Sequence, residues 1–136
     1  MIAAGFGMSS AVTAEELLAL FAQALAAGGL EAGAVDCLAT VALRARLPAL
    51  REVAARLRLP VRAVAAGELP RVAAQVVTHS ERAMARHGVG SVAEAAALAA
   101  AGRDARLLVP RLQAGRATCA LAHGVARTPT IGEASP

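Results

Sequence analysis

Gly5-Phe6-Gly7, the loop Met8-Ser9-Ser10-Ala11 and then Thr13-x-x-Glu16 form a spacing that can hold an anion. A short apolar run ends in Gly-x-Gly, and a helix starts at Thr13 with a capping box, in which Thr13 and Glu16 satisfy free backbone amides of the first turn. Strand end, glycine loop and helix start bring exposed N–H groups and a positive helix pole to one spot. A glycine-bearing strand-to-helix turn also opens many α/β domains that bind nothing there, so the segment needs support from elsewhere. Arginines supply it. Arg44 and Arg46 leave a second predicted strand, and Arg111 and Arg116 flank a predicted turn between two later strands. Ligands of α/β sheets gather beside strand ends, and the arginine fork grips a carboxylate through two N–H groups at once. A small molecule with several carboxylates suits both features.

Other chemistries find less support. His79, His87, His123, Cys37 and Cys119 lack the C-x-x-C or H-E-x-x-H spacing of a recognisable metal site. Ser9 and Ser10 sit outside any G-x-S-x-G elbow and have no evident base. The carboxylates mostly occupy helix starts (Glu15, Glu16, Glu94) or exposed faces (Glu52, Glu81), where the helix dipole and solvent account for them. Gly5-Phe6-Gly7 lacks the third glycine of a dinucleotide fingerprint, and the lysine of a P-loop is missing. No metal or cofactor is expected, and no catalytic residue is assigned.

The elements that must position these groups follow from pattern. The 136 residues fit one domain, expected over 1–123, with a disordered tail over 124–136. Hydrophobic residues make up 57% of the chain, but most are alanine, so the core must rest on Leu, Val and close backbone approach. All 14 basic side chains are arginine and the net charge is +4, which admits an acidic partner. Scattered arginines and an aromatic content of 1% argue against nucleic acid. No apolar run is long enough to span a membrane and no signal peptide is evident, so no membrane partner and a cytoplasmic location are expected. Two distant cysteines then read as reduced core thiols.

After the first strand, the spacing predicts a helix from Thr13 to about Ala27 with Leu17, Leu20, Phe21 and Ala24 on its inner face. A strand over Asp36–Ala42 follows, then a helix over Pro48–Arg58 and a strand over Val61–Ala66. Gly67–Pro70 reads as a turn or a short helical turn, and Thr78–His87 as a helix. Ser91-x-x-Glu94 repeats the capping-box pattern ahead of an alanine-rich helix ending near Ala101. Leu107–Val109 and Ala117–Ala122 read as strands joined by a Pro110–Arg116 turn. The expected fold is a three-layer α/β/α domain with a mixed sheet of about five strands.

Three segments together resemble a known family. They are Ala4-Gly5-Phe6-Gly7 through Thr13-Ala14-Glu15-Glu16, then Leu38-Ala39-Thr40-Val41-Ala42-Leu43-Arg44, and then Val89 to Ala97 joined to Leu108-Val109-Pro110-Arg111 and Gly115 to Ala122. In order and spacing the chain resembles the CobE family, which is also the C-terminal domain of CbiG, of cobalamin biosynthesis. Met8-Ser9-Ser10-Ala11 stands where that family commonly carries Cys-Arg-Arg-Gly, and Arg44 where it usually has lysine. The resemblance implies a role on a precorrin, a tetrapyrrole with acetate and propionate arms. It implies binding the intermediate and assisting its processing or transfer in the oxygen-dependent corrin pathway. Two alternatives remain at this stage: a hydrolase acting on a precorrin lactone, and an interaction module for precorrin methyltransferases that uses the helix at 91–101. The candidate ligand-binding residues are Gly5, Gly7, Met8, Ser9, Ser10, Thr13, Thr40, Arg44, Ser91, Glu94, Arg111 and Arg116. If the 8–11 loop binds, backbone N–H and hydroxyl groups must do the work.

Overall fold

The computed structural model describes residues 1–125. Its sheet has the order β3-β2-β1-β5-β4. The strands are β1 (Ile2–Met8), β2 (Cys37–Val41), β3 (Val61–Val64), β4 (Arg103–Ala114) and β5 (Ala117–Val125). β1 pairs in parallel with β2, and β2 with β3, while β5 runs antiparallel to both β1 and β4. The sheet is mixed and has helices on both faces, the three-layer arrangement expected from the alternation of elements.

Alternating residues of β1 feed two cores. Ala4 and Phe6 face one side, where α1 (Ala14–Gly28) and α2 (Pro48–Leu57) contribute Leu17, Leu20, Phe21, Leu50 and Val53. The Phe6 and Phe21 rings meet there with centroids 6.5 Å apart. Gly29 ends α1 at φ 64°, a conformation glycine takes without strain. Ala3 joins the opposite core, covered by α4 (Val92–Ala101) and by a 3₁₀ stretch over Ala66–Gln75 that buries Leu69. Burying each such leucine contributes about 2 kcal/mol.

The alanine content of α4 now has a cause. Gly5 pairs with Ala39 on β2 and Ala120 on β5, so three strands present a shallow strip of small residues. α4 settles into it so closely that a β-carbon on Gly5 would lie 2.0 Å from the Ala93 carbonyl oxygen. Ala93, Ala95, Ala96, Ala97, Leu98, Ala100 and Ala101 are all buried. The surface expected to meet a second chain is therefore enclosed within this one, which removes the basis for an interaction module built on this helix.

Boundaries differ in places. β4 is twelve residues long rather than three, and the Pro110–Arg116 turn shrinks to Gly115-Arg116. β4 is an edge strand with irregular register between Leu107 and Leu112, which is where a sheet tolerates a proline. The helix expected from Thr78 begins at Glu81 as α3 (Glu81–His87), because Ser80 caps it through the Ala83 N–H. β2 stops at Val41 and β3 at Val64. β5 continues through Gly124 and Val125, so the tail does not begin at 124; the rest of the expected tail, 126–136, lies outside the described residues. Cys37 and Cys119 are both buried and unbridged. Among the described residues no helix is long and apolar enough to cross a membrane.

Candidate functional site

A cleft of about 610 Å³ opens beside the carboxyl end of β1. This is where the sheet changes from parallel pairing with β2 to antiparallel pairing with β5, the kind of place where α/β sheets receive ligands. Gly7, Met8 and Ser9 form one part of its lining, and Ser91 and Val92 at the start of α4 form another. Four separate elements contribute arginines. Arg44 comes from the 3₁₀ turn Ala42–Arg44 that follows β2, Arg82 and Arg86 from α3, Arg111 from β4 and Arg116 from the β4–β5 turn. Among the described residues no aspartate or glutamate lines the cleft. Positive charge gathered in a concavity without lining carboxylates focuses its field on an incoming anion.

One of the five is already engaged. Arg116 Nε and Nη2 donate to Glu16 Oε1 at 3.1 and 2.9 Å, and the Arg116 backbone N–H donates to Glu16 Oε2 at 3.2 Å. Gly115, at φ 58°, leaves room for this carboxylate, because a β-carbon there would stand 2.5 Å from Glu16 Oε2. Glu16 also accepts the Thr13 N–H at 2.9 Å while Thr13 Oγ1 accepts the Glu16 N–H, so the capping box is present as expected. Its carboxylate thus occupies the anion position at the start of α1. Three loop amides are engaged as well: Ser9 N–H on the Arg116 carbonyl, Ala11 N–H on Ser9 Oγ and Val12 N–H on the Ser9 carbonyl. Within the expected backbone anion seat the amides of Ser9, Ala11, Val12, Thr13 and Glu16 thus already have acceptors in this chain.

The Arg116 guanidinium, followed by the Thr13 amide, pulls the Glu16 carboxyl from its usual 4.5 down to about 2. A carboxylate whose folded value is depressed adds stability that is in place above pH 4.5 and disappears as pH falls toward 2. Glu16→Gln is accordingly expected to melt below the parent protein at pH 6, and most of the gap between them is expected to be gone by pH 2.5. Thermal melts across that range check it; a gap that does not shrink would refute the assignment.

Glu94 was expected among the ligand contacts but belongs elsewhere. It is completely buried, and it accepts the Val77 N–H at 2.8 Å, the Thr78 N–H at 3.0 Å, the Thr78 hydroxyl at 2.6 Å and the Arg111 N–H at 2.9 Å. Burial alone would push its carboxyl up, but the four donors outweigh it and hold the value below the usual range. Glu94 thereby clasps the segment leading into α3 to the part of β4 that carries Arg111. Thr40 is also fully buried, its hydroxyl donating to the Phe6 carbonyl at 2.8 Å. Gly5 lies under α4, and Ser10 and Thr13 are exposed outside the cleft lining. Of the twelve candidates the cleft gathers Gly7, Met8, Ser9, Arg44, Ser91, Arg111 and Arg116; the other five lie elsewhere.

A family model described as "Cobalamin synthesis G C-terminus" matches residues 2–122. The chain belongs to the CobE/CbiG C-terminal family. Its sequence is 36% identical over 118 residues to protein CobE of a Sinorhizobium species, covering 87% of this chain and 77% of that one. Among solved structures it is similar to CobE, a protein from the cobalamin (vitamin B12) biosynthetic pathway. That match has a TM-score of 0.85 and 33% identity over 94% of this chain and 93% of the other. It is also similar to the cobalamin biosynthesis protein chiG from Agrobacterium tumefaciens strain C58, with a TM-score of 0.71 and 40% identity over 90% and 98% of the two chains. A cobalamin biosynthesis protein G homolog from Sulfolobus solfataricus shares the fold at 21% identity and a TM-score of 0.69; this chain spans 36% of its length. This CobE/CbiG chain is thus a protein of cobalamin biosynthesis.

Sequence reasoning overlooked half of the cleft of this CobE/CbiG domain. Arg82, Arg86 and His87 on α3, with Ser80 before it, line the cleft, as do Gln113 and Thr118 of the β4–β5 hairpin. One signal was available: Arg82 and Arg86 stand four apart, and so share a helix face. In the sequence alone His87 suggests no more than a metal ligand. Burial, and then the charges of Arg86 and Arg44, keep its imidazole below the ordinary 6.5.

Proposed function

We propose that the cleft binds the carboxylate arms of a precorrin and holds the macrocycle for its next processing or transfer step in the oxygen-dependent corrin pathway. The supporting observation is the gathering, among the described residues, of five arginines and no carboxylate from four elements around one cleft. A tetrapyrrole carries acetate and propionate groups around its rim, and arginines on several walls can meet several arms at once. Each guanidinium offers paired N–H donors in the plane a carboxylate requires. Met8, Val92 and Ala117 add apolar lining near the arginines, against which part of a ring can rest. The hydroxyls nearest α4 and the loop are otherwise engaged, Ser91 Oγ by the Glu94 N–H and Ser9 Oγ by the Ala11 N–H. That favours binding over a serine-dependent lactone hydrolase.

Titration with hydrogenobyrinic acid, followed by the corrin absorbance, is expected to saturate at micromolar ligand and to weaken with salt as surface ion pairs do. Arg44→Ala and Arg111→Ala are each expected to lower affinity about tenfold, the loss of one charge-assisted contact. Arg116→Ala should cost less, about threefold, since Glu16 already shares its charge. Absence of saturable binding, or affinities indifferent to all three substitutions, would reject the proposal.

A further inference from the structure

His87 ends α3 and lines the cleft, half-buried among cations. The charged groups around the same cleft are Arg44 from the turn after β2, Arg82 and Arg86 from α3 itself, Arg111 from β4 and Arg116 from the hairpin turn. Arginine stays protonated throughout the physiological range, so among the described lining residues His87 is the group that can change charge near neutrality. Burial and the neighbouring guanidiniums of Arg86 and Arg44 favour the neutral ring. Its place at the carboxyl end of a helix favours the cation, but only weakly on an element of seven residues.

We propose that His87 is the proton-accepting contact of the cleft: a ligand carboxylate docked against its ring is met by an imidazolium, the proton coming from solvent as the ligand binds. The inference rests on the reading of the cleft as a polycarboxylate site. A carboxylate seated between Arg44, Arg86 and His87 offsets the guanidinium charges and supplies an acceptor for the second ring N–H. Both effects favour the charged imidazole. A cleft of arginines alone would bind a fully ionised ligand with the same affinity at pH 6 and pH 8. With His87 taking part, affinity rises as pH falls, by up to tenfold for each pH unit by which binding raises the imidazole midpoint.

Proton–nitrogen NMR of the three imidazoles tests this on the intact chain, with His87→Gln identifying the signal. Two probes are used, hydrogenobyrinic acid and butane-1,2,3,4-tetracarboxylate. The free His87 midpoint is expected below 6.5 and is expected to rise by one pH unit or more at saturation. The ligand's own ionisation affects both proteins alike, so the ratio of the parent's affinity to that of His87→Gln is expected to rise as pH falls from 8 to 6. A probe that shifts the Arg44 and Arg111 amides but leaves the His87 midpoint unmoved overturns the role of His87 and leaves the polycarboxylate reading intact. A raised midpoint with the tetracarboxylate and no binding of hydrogenobyrinic acid supports His87 and rejects the tetrapyrrole. Binding of neither probe overturns both.

Discussion

Glu94→Ala is expected to destabilise the protein by about 3 kcal/mol, because it strips acceptors from three backbone N–H groups around a fully buried site. For a chain of this size that corresponds to a fall of roughly 10 °C in the thermal midpoint. The damage should be uneven. Val77 and Thr78 lead into α3, and Arg111 lies on the irregular part of β4, so both walls of the cleft lose their common anchor while α1 and α2 keep theirs. Glu94→Gln is expected to recover only part of the loss. An amide oxygen can still accept from Val77 and Thr78, but the amide NH₂ then faces the Arg111 N–H, donor against donor. Thermal melts give the stability, and amide exchange at Val77, Thr78 and Arg111 locates it. An alanine variant within 1 kcal/mol of the parent would show that the clasp is dispensable.

Gly5→Ala is expected to be as severe, about 3 kcal/mol or more, for a different reason. The added carbon would lie 2.0 Å from the Ala93 carbonyl oxygen and 2.6 Å from the Ala97 nitrogen, both backbone atoms of a helix enclosed on its other sides. No rotamer change relieves that overlap, so α4 must lift away from β1, β2 and β5 together. Its first turn carries Ser91 and Val92 into the cleft, and ligand affinity should fall along with stability. Gly33→Ala is the matching control, since nothing lies within 4 Å of a β-carbon built there. A melt of Gly5→Ala indistinguishable from that control would contradict the close approach of helix and sheet.

These two residues also show what a sequence can and cannot say. Strand, helix and capping signals were legible because they are local: Thr13 with Glu16, Pro48 at the start of α2 and Gly29 after α1 act within a few residues. The second capping pattern, Ser91 with Glu94, was legible only in its first half. Ser91 does cap the Glu94 N–H, but the Glu94 side chain turns to partners seventeen residues away on either side. No local rule reaches that far. β4 was read short because Pro110 and its polar neighbours resemble a turn, and only its place at the sheet edge explains how a strand accommodates them. The chemistry of the cleft was half legible. Arg44, Arg111 and Arg116 stood out at strand ends, whereas Arg82, Arg86 and His87 join them only through the path of the chain after α3 is placed. Gly5 stood out as part of a Gly-x-Gly anion loop, whereas its missing side chain makes room for the backbone of α4, a part of the chain no local rule connects to it.

The two walls of the cleft are built to different standards. The hairpin wall is bolted through Arg116 and Glu16 to a fifteen-residue helix. The opposite wall, α3, carries Arg82, Arg86 and His87 on seven residues of which none is buried. So short a helix has little stability of its own. It is held at its margins, by the Ser80 N–H on the Gly90 carbonyl at 2.8 Å and by the grip of Glu94 on Val77 and Thr78. Segments held in this way open at low free energy. A polyanion arriving in the cleft must spend part of its attraction on quieting that wall. Its binding should therefore release more heat than the affinity alone would suggest, with the entropy of ordering α3 making up the difference.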